Sequence, residues 1–210
     1  MNSIFCPALY RLEPAAQHTL DSAHSSSFQL MLERLLMILG MEHVIPRMTG
    51  EELQRIVYLS RFHDIGKQCL PEELLYKPDG LTLEERRMVQ QHPVLGGRLL
   101  GANPQIRQYP YFDVLYDICL HHHERWDGGG YPDGLKGEHI TPYVHALALV
   151  DAYDALRTER TYRHHPLSHH EAMEMISHGG CGAFNPKMLD CLQDFSDFIC
   201  TSCYREEEAG

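Results

Sequence analysis

At 210 residues, with 43% hydrophobic and 22% charged residues, the chain has the makeup of a globular domain large enough for a full core, which excludes wholesale disorder. Its 29 acidic against 18 basic residues give a formal charge of −11, which opposes binding to a nucleic-acid polymer, because a phosphate backbone needs a clustered basic face. A small phosphate ligand is not excluded, since divalent ions gathered at one point reverse the local field. The seven cysteines are odd in number and scattered, unlike a secreted disulfide framework. Cys200-Thr201-Ser202-Cys203 has the spacing of a redox pair or half a zinc site, but no second pair accompanies it, so ordinary thiols are the simpler reading. With no signal-peptide pattern and no apolar run of about 18 residues, the expected location is the cytoplasm, with no membrane span.

In chain order, residues 1–21 read as an N-terminal arm or short helix. A helix from about Ser22 to Leu39 follows, with Phe28, Leu32, Leu35, Leu36 and Leu39 on one face. The next runs from Gly50 to Phe62 and is opened by the capping box Thr49-x-x-Glu52. A short helix is expected at Pro71 to Leu75, then Leu83 to Gln91 behind the box Thr82-x-x-Glu85, and Pro93 to Leu100 after His92-Pro93. Tyr111 to His122, a glycine-rich loop from Arg125 to Thr141, and helices at Tyr143 to Leu156, His169 to His178 and Pro186 to Cys200 complete the series. Ser168-x-x-Glu171 and Asn185-Pro186 mark the last two starts. No period-two strand pattern is sustained, so the fold class is all-α: one domain over residues 22–200, with a frayed acidic tail over 201–210.

The chemistry is concentrated at three places. His63-Asp64 ends one helix, His122-His123 ends another, and Asp151 follows the apolar run Ala146-Leu147-Ala148-Leu149-Val150, where a carboxylate is costly to bury without a positive partner. His24, His63 and His122 each continue the apolar stripe of a helix, which aims several imidazoles into one bundle interior. A lone histidine on an apolar face is usually a hydrogen-bonded core residue. Three such oddities together, all imidazole and carboxylate, are what divalent metals of intermediate hardness take from a protein.

The sequence Phe62-His63-Asp64-Ile65-Gly66-Lys67, the stretch His122-His123-Glu124-Arg125-Trp126-Asp127-Gly128-Gly129-Gly130-Tyr131-Pro132 and the later Val150-Asp151-Ala152-Tyr153-Asp154-Ala155-Leu156 resemble the HD-GYP family of the HD phosphohydrolase superfamily. The resemblance runs from about His24 to Leu192 and keeps the motifs in the family's order. It implies an HD-domain helical bundle with a metal site in its interior, and a metal-dependent phosphodiesterase that cleaves cyclic di-GMP to the linear dinucleotide, GMP or both. Matched position by position, the implied metal ligands are His24, His63, Asp64, His92, His122, His123 and Asp151. Ser27 stands where the family usually has an arginine. His121 extends the histidine pair but falls outside the register set by Glu124-Arg125-Trp126, and His164, His165, His169 and His170 read as a solvated cluster.

The same resemblance gives Asp64 and Lys67 catalytic roles, and Lys67, Arg160 and Arg163 the substrate phosphates, although position 163 is commonly lysine. It also implies two divalent ions, iron or manganese first. A third metal would need a carboxylate one turn before His24; Leu20 stands there, and Asp21 at i−3 differs in direction. Gly128 to Pro132 is expected to help shape the site, whether or not it touches substrate. Two alternatives stay open: an HD phosphohydrolase for another nucleotide such as cyclic GMP-AMP, and a catalytically silent dinucleotide receptor. A regulatory protein partner or a homodimer is compatible with either.

Overall fold

A computed structural model describes residues 6–14, 22–158 and 165–200, and among them every extended element is a helix. In chain order these are α1 (Pro7–Tyr10), α2 (Ser22–Met41), α3 (Gly50–Ser60), α4 (Glu72–Leu75), α5 (Leu83–Val89), α6 (His92–Ala102), α7 (Pro104–Arg107), α8 (Phe112–His121), α9 (Pro142–Arg157), α10 (His169–Ser177), α11 (Pro186–Asp194) and α12 (Ser196–Cys200). Two 3-10 turns, Ile65–Cys69 and Gly137–His139, complete the set. The expected all-α bundle is the observed one.

Two helices form the centre. On α2, Phe28, Met31, Leu32, Leu35, Leu36, Ile38 and Leu39 are all buried, a wider face than one apolar stripe, because α3, α9, α11 and α12 pack around it. On α9, the run Val144–Val150 is enclosed on every side, His145 included. Alanine at 146, 148 and 152 keeps that helix thin enough for neighbours to approach closely.

Local signals fixed most helix starts. All three capping boxes form as written: Thr49 with Glu52, Thr82 with Glu85, and Ser168 with Glu171. Each leaves a hydroxyl on an orphan amide and a carboxylate on the cap's own N–H. Asn185 caps α11 by accepting from the Lys187 amide at 2.9 Å.

Two expectations need correction. The last helix is divided: Phe195, at φ −113° and ψ 21°, separates α11 from α12. The break turns Ile199 into the core and sets the Phe198 carbonyl 2.7 Å from an Arg34 guanidinium nitrogen of α2. The second is that α7 was not expected, although Asn103-Pro104 carries the same cap-plus-proline signal as Asn185-Pro186; Asn103 Oδ1 accepts from the amides of Gln105 at 3.0 Å and Ile106 at 3.3 Å.

One close approach positions the site. The Ile65–Cys69 turn lies directly on α6, and a Cβ on Gly66 would fall 1.9 Å from the His92 carbonyl oxygen and 2.5 Å from the Gly96 nitrogen, so only glycine lets these backbones meet. That contact carries His92 to the His63-Asp64 doublet.

Candidate metal centre

The doublet sits in the turn leaving α3, where successive short backbone bonds (His63 N–H to Ser60 O at 3.1 Å, Ile65 N–H to Phe62 O at 3.1 Å, Lys67 N–H to Asp64 O at 2.9 Å) wind the chain inward. His63 is fully buried and stacks on Phe28, with ring centroids 5.3 Å apart. His92 enters from the first residue of α6, and His122 and His123 from the end of α8. Ligand-capable atoms of Asp64, His92, His122 and His123 all lie within 4.8 Å of one another.

Backbone carbonyls set the tautomers of three imidazoles. His63 Nδ1 lies 2.8 Å from Ser60 O, His92 Nδ1 2.8 Å from Val89 O, and His122 Nδ1 3.0 Å from Cys119 O. A carbonyl oxygen only accepts, so each Nδ1 carries a proton and donates. In the neutral ring each Nε2 then presents a lone pair to the interior, the form in which imidazole binds metal.

Those lone pairs converge on one carboxylate. Asp64 Oδ1 is 3.1 Å from His92 Nε2 and 3.6 Å from His122 Nε2, and the two nitrogens are 3.1 Å apart. Three acceptors so close repel unless a cation stands among them. Donors held about 2.1 Å from one first-row ion sit about 3.0–3.4 Å from each other, a range the two 3.1 Å separations meet and the 3.6 Å one slightly exceeds. Oδ2 faces a second set: His63 Nε2 at 3.4 Å and the Lys67 ammonium, which hydrogen-bonds to it. Asp151 Oδ1 stands 3.8 Å from His63 Nε2, so its carboxylate joins the cluster beside this histidine. His63 Nε2 and Asp64 Oδ1 are buried with no hydrogen-bond partner among the described residues, the orphaned polar atoms that a bound ion satisfies. The residues fit a divalent metal.

Protonation states agree with that fit. Burial pushes the Asp64 carboxyl up, but the Lys67 ammonium, with His63, outweighs it and holds the group well below the ordinary range, so it is an anion. Burial drives His122 down to about 4, and burial with the neighbouring His122 and His92 holds His123 well below its ordinary value; both rings are neutral near pH 7. His63 loses to burial but gains more from Asp64 and Asp151, and its affinity for a proton rises. A cluster that draws in a proton on one side and offers bare nitrogens on the other is arranged for cations.

The glycine-rich loop closes over this cluster. Glu124, fully buried, accepts from three successive main-chain amides: Asp133 at 2.8 Å, Gly134 at 3.1 Å and Leu135 at 2.9 Å. A Cβ on Gly130 would lie 2.4 to 2.5 Å from the Arg125 nitrogen, the Glu124 Cα and the His123 carbonyl, so the loop folds flat on the strand of chain leaving α8. The ring of Tyr131 stacks on His123, centroids 4.8 Å apart. Further out, Trp126 stacks on His145, and Arg125 Nε donates to Cys181 O at 2.9 Å.

The structure thus brings His63, Asp64, Lys67, His92, His122, His123 and Asp151 together. The side chain of His24, and all of Asp21, Arg160 and Arg163, lie outside the described residues. His121 turns the other way, bridging Asp117 at 2.6 Å and Asp133 at 3.0 Å. His165 and His170 are exposed, and His169 meets the Tyr153 hydroxyl at 2.8 Å. Sequence reasoning quoted Glu124 and Tyr131 only as motif letters, without their contacts; a buried acid beside a run of glycine amides was the available signal.

The chain matches the HD domain family over residues 20–206. It is 38% identical over 141 residues to a probable cyclic di-GMP phosphodiesterase of Vibrio cholerae, and 30% identical over 178 residues to a 3'3'-cGAMP-specific phosphodiesterase of the same organism. These alignments cover 64% and 84% of this chain and 32% of each relative, so the chain spans about a third of their length. Among solved structures, an HDG"Y"P protein of Bdellovibrio bacteriovorus shares the fold, with a TM-score of 0.59 at 18% identity over 81% of this chain and 51% of that one. With the His63-Asp64 doublet and the Gly130-Tyr131-Pro132 loop at one buried cluster, the chain belongs to the HD domain family.

Proposed function

We propose that this chain is a metal-dependent phosphodiesterase that hydrolyses a cyclic dinucleotide, cyclic di-GMP in the first place, to the linear dinucleotide or GMP. The observation that carries the reading is the meeting of the His92 and His122 lone pairs with Asp64 Oδ1, while Oδ2 faces His63 and Lys67, and Asp151 in turn faces His63. With both of its oxygens facing candidate ligands, Asp64 would be among the residues that hold the metal. The proposed ligands are His24, His63, Asp64, His92, His122, His123 and Asp151, and the proposed ions are iron or manganese. When bound, such ions supply Lewis acidity, lowering the pKa of a water and neutralising phosphodiester charge.

The chain's own groups do the rest. Asp64 stays ionised and fixes the position of the Lys67 ammonium, which then faces the cluster as a donor to a phosphoryl oxygen. Arg160 and Arg163 are assigned the remaining phosphate charge. The stacked Tyr131 and the loop fastened to Glu124 wall off one side and limit water. No side chain need act as a covalent nucleophile.

A second reading, hydrolysis of the hybrid cyclic GMP-AMP, is favoured by the relative named for 3'3'-cGAMP, which aligns with 84% of the chain. Protein purified without oxygen, analysed for metal and offered both dinucleotides, tests the proposal. Turnover with about two ions per chain supports it. Binding of dinucleotide without single-turnover hydrolysis by metal-loaded protein would identify a silent receptor instead.

A further inference from the structure

The four clustered residues are not held alike. His92 and His122, like the adjacent His63, are each oriented by an Nδ1 bond to a carbonyl three residues upstream. His123 makes no such bond to any described residue. Its ring is fixed by faces and edges: Tyr131 stacked at 4.8 Å with planes 30° apart, His122 at 4.2 Å, and His92 edge-on at 5.0 Å. His122 and His92 are themselves placed by their carbonyl bonds, so among the ring contacts of the described residues the one His123 makes outside the histidine group is with the phenol ring.

Tyr131 is in turn not free to choose its position. Its amide donates to the His123 carbonyl at 3.3 Å, Gly130 packs where no Cβ fits, and the following main chain at Asp133, Gly134 and Leu135 is fastened to the Glu124 carboxylate. Glu124 is enclosed, so these three charge-assisted bonds are not weakened by water. The Asp133 side chain adds an outer tie to His121 at 3.0 Å.

We infer that Tyr131 is a positioning residue, doing for His123 through ring stacking what backbone carbonyls do for the other three histidines, and that buried Glu124 sets the loop geometry that makes this possible. The inference rests on the proposed reading of the cluster as a metal site. Groups that orient a metal-binding histidine typically alter metal affinity about 10- to 100-fold when removed.

The test uses protein stripped with chelator, titrated with Mn²⁺ by calorimetry, alongside imidazole ¹⁵N spectra of the metal-free protein. Tyr131→Leu keeps apolar bulk but removes the ring; the expected result is a loss of Mn²⁺ affinity of about 10- to 100-fold, with the His123 resonances broadened or shifted and those of His63 unchanged. Tyr131→Phe keeps the ring and is expected to restore both readouts to wild-type values. Glu124→Gln, which places an amide donor against main-chain N–H groups, is expected to follow Tyr131→Leu. Should that variant fail to fold, the leucine and phenylalanine pair decides alone. Wild-type affinity and spectra in Tyr131→Leu, or equal losses in the leucine and phenylalanine variants, would overturn the inference. Wild-type protein that binds no Mn²⁺ would instead defeat the metal-site reading, and the inference with it.

Discussion

His145 gives acid sensitivity a specific origin away from the candidate ligands. It is buried between the rings of Trp126 and Phe184, its Nε2 accepts from the Asn185 amide at 3.2 Å, and Nδ1 has no partner among the described residues. Burial first, then the Arg125 charge, brings its pKa from 6.5 down to about 4. The folded state thus refuses a proton that the unfolded chain accepts below 6.5, and accepting it would set two donors against each other at the cap of α11. Stability from this source is fully present above pH 6.5, falls as pH drops toward 4, and levels off below. The separation of the two values corresponds to about 3 kcal/mol at most, of which about 2 kcal/mol is lost between pH 7 and 4.5. Urea unfolding of wild type and His145→Gln across that range, under one metal condition, isolates the contribution, because all other titrating groups are common to both. The variant is expected to be less stable at pH 7 and to approach wild type as pH falls. Stability curves that run parallel from pH 7 to 4.5 would refute the reasoning.

Asp64→Ala is expected to abolish hydrolysis and to lower metal content, measured by elemental analysis, because both of its oxygens face candidate ligands. Arg160→Ala combined with Arg163→Ala is expected to weaken dinucleotide binding and turnover while metal content stays normal; steady-state kinetics beside metal analysis separate the two effects. Gly66→Ala places a Cβ 1.9 Å from the His92 carbonyl, so it is expected to destabilise the fold by about 3 kcal/mol or more and to reduce Mn²⁺ affinity as α6 shifts, both readable on one purified sample.

Helix starts were legible because they are written in four or five adjacent residues. Thr49, Thr82, Ser168 and Asn185 each cap within their own turn. The break at Phe195 was not legible, since no glycine or proline marks it and the reason lies in where Ile199 finds the core. In the site, the doublet, the histidine pair and Asp151 stood out as polar groups in apolar surroundings. The meeting of Gly66 with α6 could not be read, because backbone-to-backbone approach leaves no pattern except a glycine among many. The pairing of Tyr131 with His123 was hidden for a similar reason: it depends on a carboxylate reaching amides nine to eleven residues ahead.

The carbonyls that face His63, His92 and His122 belong to Ser60, Val89 and Cys119, in each case three residues earlier in the chain. Which nitrogen of each ring keeps its proton is therefore decided within four consecutive residues and needs no distant segment. Assembly of the bundle has only to bring together rings whose free lone pairs are already selected. Insertions between the turns would alter their spacing without changing which nitrogen each ring offers.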